Sequence, residues 1–213
     1  MIAIVDYGIG NLRSIEKAFE AVGADVVRSD RREDIRAADK VVLPGVGAFG
    51  ACIDEIRRKK LEEPILGAIR EGKPFLGVCV GMQLLFESSE EMGQHKGLGV
   101  LPGRVLHFAT ACKTALYKES PEDPLKIPHM GWNTVDQQRE DPLFRGLPSQ
   151  PYFYFVHSYA AAPTTASDML ASCRHGVAFP AIVQRNNVYG VQFHPEKSQA
   201  NGLRILQNFA ESV

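Results

Sequence analysis

The string Gly77-Val78-Cys79-Val80-Gly81 places a thiol between two glycines, where the apolar run Pro74-Phe75-Leu76-Gly77-Val78 gives way to a helical pattern. This is the form of a nucleophile elbow with sulfur in place of oxygen. Glycines are needed there because a Cβ at either position would collide with the turn. The pattern predicts a helix from Gly81 to Ser88, whose N-terminus favours thiolate, and it presents the amide of Val80 to an oxyanion formed at the sulfur. A thiolate nucleophile needs a proton carrier, and the carrier needs an orienting carboxylate. The chain has six histidines, of which His194 closes the strand-like run Tyr189-Gly190-Val191-Gln192-Phe193 and is followed by Pro195-Glu196. Either string alone also fits a structural role. Together they make Cys79, His194 and Glu196 a candidate Cys-His-Glu triad.

A second turn, Pro44-Gly45-Val46-Gly47, follows the strand-like run ending at Leu43. Its two glycines leave backbone N–H groups uncovered, so Gly45 and Val46 join Val80 as candidate oxyanion donors. Gly8-Ile9-Gly10-Asn11 lacks the third glycine of a dinucleotide fingerprint, because position 13 is Arg.

These residues need a scaffold that brings strand ends together. Ile2–Val5, Val26-Val27, Val41–Leu43 and Phe75–Val78 read as short strands. Helical patterns separate them: Leu12 to Val22, Asp30 to Ala38, Cys52 to Leu61 and Pro64 to Arg70. Strands spaced by helices predict an α/β fold with a mostly parallel, doubly wound, flavodoxin-like sheet. After about Leu98 the strands Val100–Phe108, Tyr152–Val156, Met169–Cys173, Ala181–Gln184 and Val188–Phe193 follow without helices, predicting an antiparallel extension in the C-terminal half. Asn186-Asn187 suits a tight hairpin turn, Ala109 to Lys126 reads as a mobile loop, and Asn201 to Glu211 as a closing helix. A single domain over residues 1–213 is expected.

Composition narrows the function. With 24 Lys+Arg against 25 Asp+Glu the formal net charge is −1, which argues against nucleic-acid binding. No apolar stretch approaches the ~20 residues of a membrane helix. The start Met1-Ile2-Ala3-Ile4-Val5-Asp6 has no basic leader, so a cytoplasmic protein is expected. Cys52, Cys79, Cys112 and Cys173 are widely spaced, which suits neither a zinc site nor a disulfide framework.

The strings Gly77-Val78-Cys79-Val80-Gly81-Met82-Gln83-Leu84-Leu85 and Phe193-His194-Pro195-Glu196 resemble the class I (triad) glutamine amidotransferases. Pro44–Phe49, Pro128–Asn133, Tyr154–Tyr159 and His194–Ser198 are similar to the glutaminase subunits of imidazole glycerol phosphate synthases. The family more often has Leu at Val80, where only the backbone amide matters. The resemblance implies that Cys79 attacks the side-chain amide of glutamine, with His194 moving protons and Glu196 orienting His194. It implies that Gly47, Gln83, Ser158 and Tyr159 hold glutamine. It further implies that Asn11, Trp132 and Lys197 face a partner cyclase in a heterodimer, and that neither a cofactor nor a metal is used. Two other readings stay open: a stand-alone cysteine hydrolase on the same scaffold, and an inactive regulatory module, against which all three triad residues speak.

Overall fold

Short apolar runs alternating with amphipathic segments build the first part of the computed structural model, which describes residues 1–111 and 125–213. In chain order these are β1 (Ile2–Val5), α1 (Leu12–Ala21), β2 (Val26–Ser29), α2 (Arg32–Ala37), β3 (Lys40–Gly45), α3 (Phe49–Arg58), α4 (Glu62–Arg70) and β4 (Phe75–Cys79). Every residue of β1 and β4 is buried, as expected of strands covered on both faces. Helix α1 turns Ile15, Ala18 and Phe19 inward, and Gly23 takes the left-handed conformation just beyond its end.

The chain continues through α5 (Val80–Gln83), β5 (Phe86–Ser89), β6 (His95–Lys96), β7 (Leu101–His107) and α6 (Phe108–Ala111). Beyond the undescribed segment come β8 (His129–Thr134), β9 (Asp136–Gln137), β10 (Tyr152–His157), β11 (Tyr159–Pro163), β12 (Met169–His175), β13 (Val177–Arg185), β14 (Val188–Val191) and α7 (Gln199–Ser212). The main sheet has the order β2-β1-β3-β4-β14-β13-β12-β9. Its first five strands are parallel in the flavodoxin-like arrangement. Strands β13, β12 and β9 add to it antiparallel. A second sheet, β11-β7-β5-β6, and the antiparallel pair β8–β10 lie outside it. Helix α1 packs against α7 and α2 against α4, as expected where right-handed crossovers cover both faces of a parallel sheet.

The expected hairpin is present: Arg185 pairs with Val188, and Asn186 has φ 52°. The helix expected from Gly81 to Ser88 is corrected to a single turn, α5. The carbonyls of Leu84, Leu85 and Glu87, which a longer helix would have to manage, instead accept from the N–H groups of Leu98, Val100 and Gly97. Gly97 is what lets that segment approach, since a Cβ there would lie 2.1 Å from the Phe86 carbonyl oxygen. Most of the segment expected as a loop from Ala109 to Lys126, with Cys112, lies outside the described residues, and its start is corrected, since Ala109–Ala111 belong to α6. Among the described residues no helix is long and apolar enough to cross a membrane.

Candidate active site

A cleft of about 800 Å³ opens at the carboxyl ends of the parallel strands, the position where open α/β sheets gather ligands. Segments following β1 (Gly10, Asn11), β3 (Val46, Gly47), β4 (Cys79, Val80) and β14 (His194) contribute to its wall. Gln83, Glu91, His157, Ser158, Tyr159 and Lys197 also line it.

Cys79 sits at the bend between β4 and α5 with φ 55° and ψ −112°, a conformation a non-glycine residue adopts only when its surroundings impose it. The flanking glycines make that possible by contact. A Cβ on Gly77 would lie 2.6 Å from the Gly81 oxygen, and one on Gly81 would lie 1.8 Å from the Leu43 oxygen. The elbow is therefore pressed against β3. With only four residues in α5, the expected contribution of the helix dipole to the thiol shrinks to that of one turn.

His194 is fixed through its backbone. Its N–H donates to the Tyr154 carbonyl at 2.9 Å, and its own carbonyl accepts from the Ser198 hydroxyl at 2.6 Å. The same hydroxyl oxygen accepts from the Tyr154 N–H at 2.9 Å. Phe193 stacks on Phe153 at 3.9 Å, tying this turn to β10. His194 Nδ1 pairs with Glu196 Oε1 at 2.9 Å, and both side chains are almost fully buried. Burial opposes a charged ring, but hydrogen bonds to Cys79 and Glu196, and the charge of each, outweigh it and push His194 up to about 10. The ring is thus paired with the carboxylate on one side and shares the cleft wall with the thiol.

The other cysteines with described positions behave differently. Burial raises both thiols, Cys173 to about 12, while the Cys52 thiol also donates to the Val46 carbonyl at 3.4 Å. Among the candidate oxyanion donors, Val46 and Val80 line the cleft beside Cys79, and Gly45 stands opposite Cys79 in the β3–β4 register. The candidate glutamine-binding residues Gly47, Gln83, Ser158 and Tyr159 all line the cleft. Gln83 is held by donating to the Tyr159 carbonyl at 3.1 Å and to Gln192 Oε1 at 3.0 Å.

The residues expected at a partner face divide. Asn11 and Lys197 line the cleft, and Asn11 Nδ2 also donates to Glu196 Oε1 at 3.4 Å, a contact with the candidate triad that the sequence did not suggest. Lys197 lies over the Tyr154 ring, whose other neighbour is Trp132 with centroids 6.1 Å apart. Trp132 is 46% exposed on β8, just outside the cleft. Sequence reasoning missed Glu91, which lines the cleft and caps α3 by accepting from the Phe49 N–H at 2.7 Å. A Glu in a polar connection carries no signal that distinguishes it from a solvated one. Among the described residues no cluster of potential metal ligands occurs.

Residues 3–213 match the family described as glutamine amidotransferase class-I. The chain is 59% identical over 210 residues to the imidazole glycerol phosphate synthase subunit HisH of Salinibacter ruber, covering 99% of this chain and 94% of that one. It is 44% identical over 212 residues to the protein of the same description from Chlorobaculum tepidum, covering 99% and 100%. The fold is similar to a crystal structure described as a glutamine amidotransferase, with TM-score 0.72, 17% identity and 98% of each chain covered. It is also similar to a chain in the structure of PurLQS from Thermotoga maritima, with TM-score 0.70, 19% identity and coverage of 98% and 96%.

Proposed function

We propose, from the premise that the chain belongs to the class-I glutamine amidotransferases, that it hydrolyses glutamine and passes the ammonia to a partner cyclase. The observation that carries this is the buried His194 ring, bonded to Glu196 at 2.9 Å and lining the same cleft as the Cys79 thiol. Cys79 Sγ attacks the side-chain amide carbon of glutamine, and the carbonyl electrons move onto oxygen. The oxyanion is met by backbone N–H groups of Val80 and of the Gly45–Val46 turn. His194 gives a proton to the amide nitrogen, the C–N bond breaks, and ammonia leaves a γ-glutamyl thioester. His194 then takes a proton from water, the hydroxide attacks the thioester, and glutamate departs as the thiol is regenerated.

Glutamine is seated by Gly47, Gln83 and the Ser158–Tyr159 backbone. Glu91, the carboxylate among the described residues that line the cleft, supplies the countercharge for the α-ammonium of the substrate. One amidotransferase domain over residues 1–213 does this work in the cytoplasm, as the glutaminase half of a heterodimeric imidazole glycerol phosphate synthase of histidine biosynthesis. Asn11, Trp132 and Lys197 form the rim on which the cyclase docks. The switch between idle and active states lies in the Gly45–Val46 peptide. The carbonyls on either side of it are held, Pro44 by the Tyr7 hydroxyl at 2.8 Å and Val46 by the Cys52 thiol. Turning that one peptide adds or removes an oxyanion donor, an effect on the order of 10²–10³ in rate.

The test is steady-state glutamine hydrolysis by the chain alone, with the cyclase, and with the cyclase plus its nucleotide ligand. A rise of kcat across the three is expected. Equal values would contradict the coupling and favour a stand-alone hydrolase.

A further inference from the structure

At the back of the cleft, whose wall includes His157, two histidines face each other across the β8–β10 pair, where His129 and His157 are register partners. Their hydrogen bonds run in one direction only. His157 Nδ1 lies 2.8 Å from the Tyr159 carbonyl oxygen, which can only accept, so Nδ1 carries the proton. Burial holds His157 down to about 3 and His129 to about 4, so both rings are neutral at neutral pH. His157 Nε2 is then an acceptor, and its partner at 3.0 Å, His129 Nδ1, must donate. His129 Nε2 accepts in turn from Asn133 Nδ2 at 3.2 Å. The Asn133 amide is itself oriented, because Oδ1 takes the Thr134 N–H and Nδ2 also donates to the Arg174 carbonyl.

The chain of bonds continues into the active site. The Tyr159 carbonyl accepts from both His157 and Gln83, using both of its lone pairs. Gln83 commits both amide hydrogens, to Tyr159 and to Gln192, so only Oε1 is left to a ligand. Gln192 closes the series by pointing Nε2 at Cys79 Sγ, 3.8 Å away. A turn packed only by apolar contacts would leave that carbonyl and the Gln83 amide free to rotate.

We propose that His129 and His157 are positioning residues of the glutaminase reaction, locking the Tyr159 carbonyl and, through it, the acceptor face that Gln83 presents to the substrate. The proposal rests on the reading of the Tyr159 turn and Gln83 as the seat of glutamine.

Two measurements on the full chain test it. Long-range ¹H–¹⁵N spectra of histidine-labelled protein should show both rings neutral at pH 6 and protonated on Nδ1. A charged ring, or a proton on Nε2 of either, would overturn the relay whatever the substrate. In glutaminase assays with the cyclase, His157→Leu should raise KM for glutamine about tenfold with kcat within about threefold, the scale of one lost hydrogen bond. His157→Asn, whose Nδ2 can stand where Nδ1 stood, should recover most of that loss. Equal impairment of the two variants, or a fall in kcat at constant KM, would refute the positioning role. Wild-type protein that shows the predicted spectrum but no glutaminase activity would instead count against the functional reading on which the proposal rests.

Discussion

Gly45 lies opposite Cys79 in the parallel ladder of β3 and β4, and a Cβ on it would stand 2.7 Å from the backbone nitrogen of Gly81. The same Cβ would come within 2.9 Å of Val80 Cβ and 3.0 Å of the Tyr7 hydroxyl. The turn at the end of β3, proposed to supply oxyanion donors, and the elbow are thus in contact with no room between them. Gly45→Ala must push one away from the other. A displacement of about 1 Å is enough to lower kcat roughly 10²-fold, and overpacking costs about 1–3 kcal/mol of stability. Glutaminase kinetics and thermal melting check both. An unchanged kcat would show that the contact does not set the geometry.

Glu91→Gln isolates charge from shape. The amide oxygen can still accept from the Phe49 N–H, so α3 keeps its cap. If the carboxylate balances the α-ammonium of glutamine, KM should rise roughly 10–100-fold, the range for a hydrogen bond to a charged group. The kcat should change little. Substrate titration by the variant with its cyclase reads this, and an unchanged KM would remove Glu91 from the binding site.

The histidine pair also fixes the direction of the acid response. Both rings have folded pKa values below the unfolded value of 6.5, at about 4 for His129 and about 3 for His157. The unfolded chain therefore binds more protons below pH 6.5, and stability is full above that value and falls as pH drops toward 4 and 3. Each ring contributes up to about 1.4 kcal/mol per pH unit in that window. His194 works the other way: raised to about 10, it stabilises below pH 6.5 and its contribution is lost as pH rises through 10. Urea unfolding at pH 7, 6 and 5 should show a shallower decline in His157→Asn than in the wild type. Parallel declines would mean that His157 does not titrate as described.

Much of this was legible in the sequence because the signals are local. Apolar runs ending in glycine turns marked β1, β3 and β4, and the thiol between two glycines and the histidine ahead of Pro195-Glu196 marked residues that the fold brings to one cleft. What escaped depends on contacts between distant segments. The helix after Cys79 ends at Gln83 because Leu98 and Val100 take the carbonyls of Leu84 and Leu85, and no property of residues 84–88 announces that. The pairing of His129 with His157 is a matter of strand register. The bond from Asn11 to Glu196 spans nearly the whole chain, joining two segments that composition treats separately.

Outside the site, Lys40 is the clearest single anchor of the closing helix. Its Nζ donates to the carbonyls of Phe209, Ala210 and Val213 and lies over the Phe209 ring. Burial lowers its pKa, yet the carbonyls at the end of α7 satisfy the ammonium. Lys40→Met keeps the stem and removes the donors, so it should cost about 1.5–3 kcal/mol in denaturant unfolding and leave glutaminase kinetics unchanged. A loss of activity at full stability would mean that α7 bears on the cleft through Lys40.

The central claim is a covalent one, that Cys79 carries the glutamyl group between ammonia release and hydrolysis. Rapid acid quenching of the chain and its cyclase during glutamine turnover, followed by peptide mass mapping, reads it directly. The account predicts a γ-glutamyl adduct on the peptide containing Cys79 and on no other cysteine, absent in Cys79→Ala along with glutaminase activity. An adduct on Cys52, Cys112 or Cys173, or turnover that survives in Cys79→Ala, would contradict it.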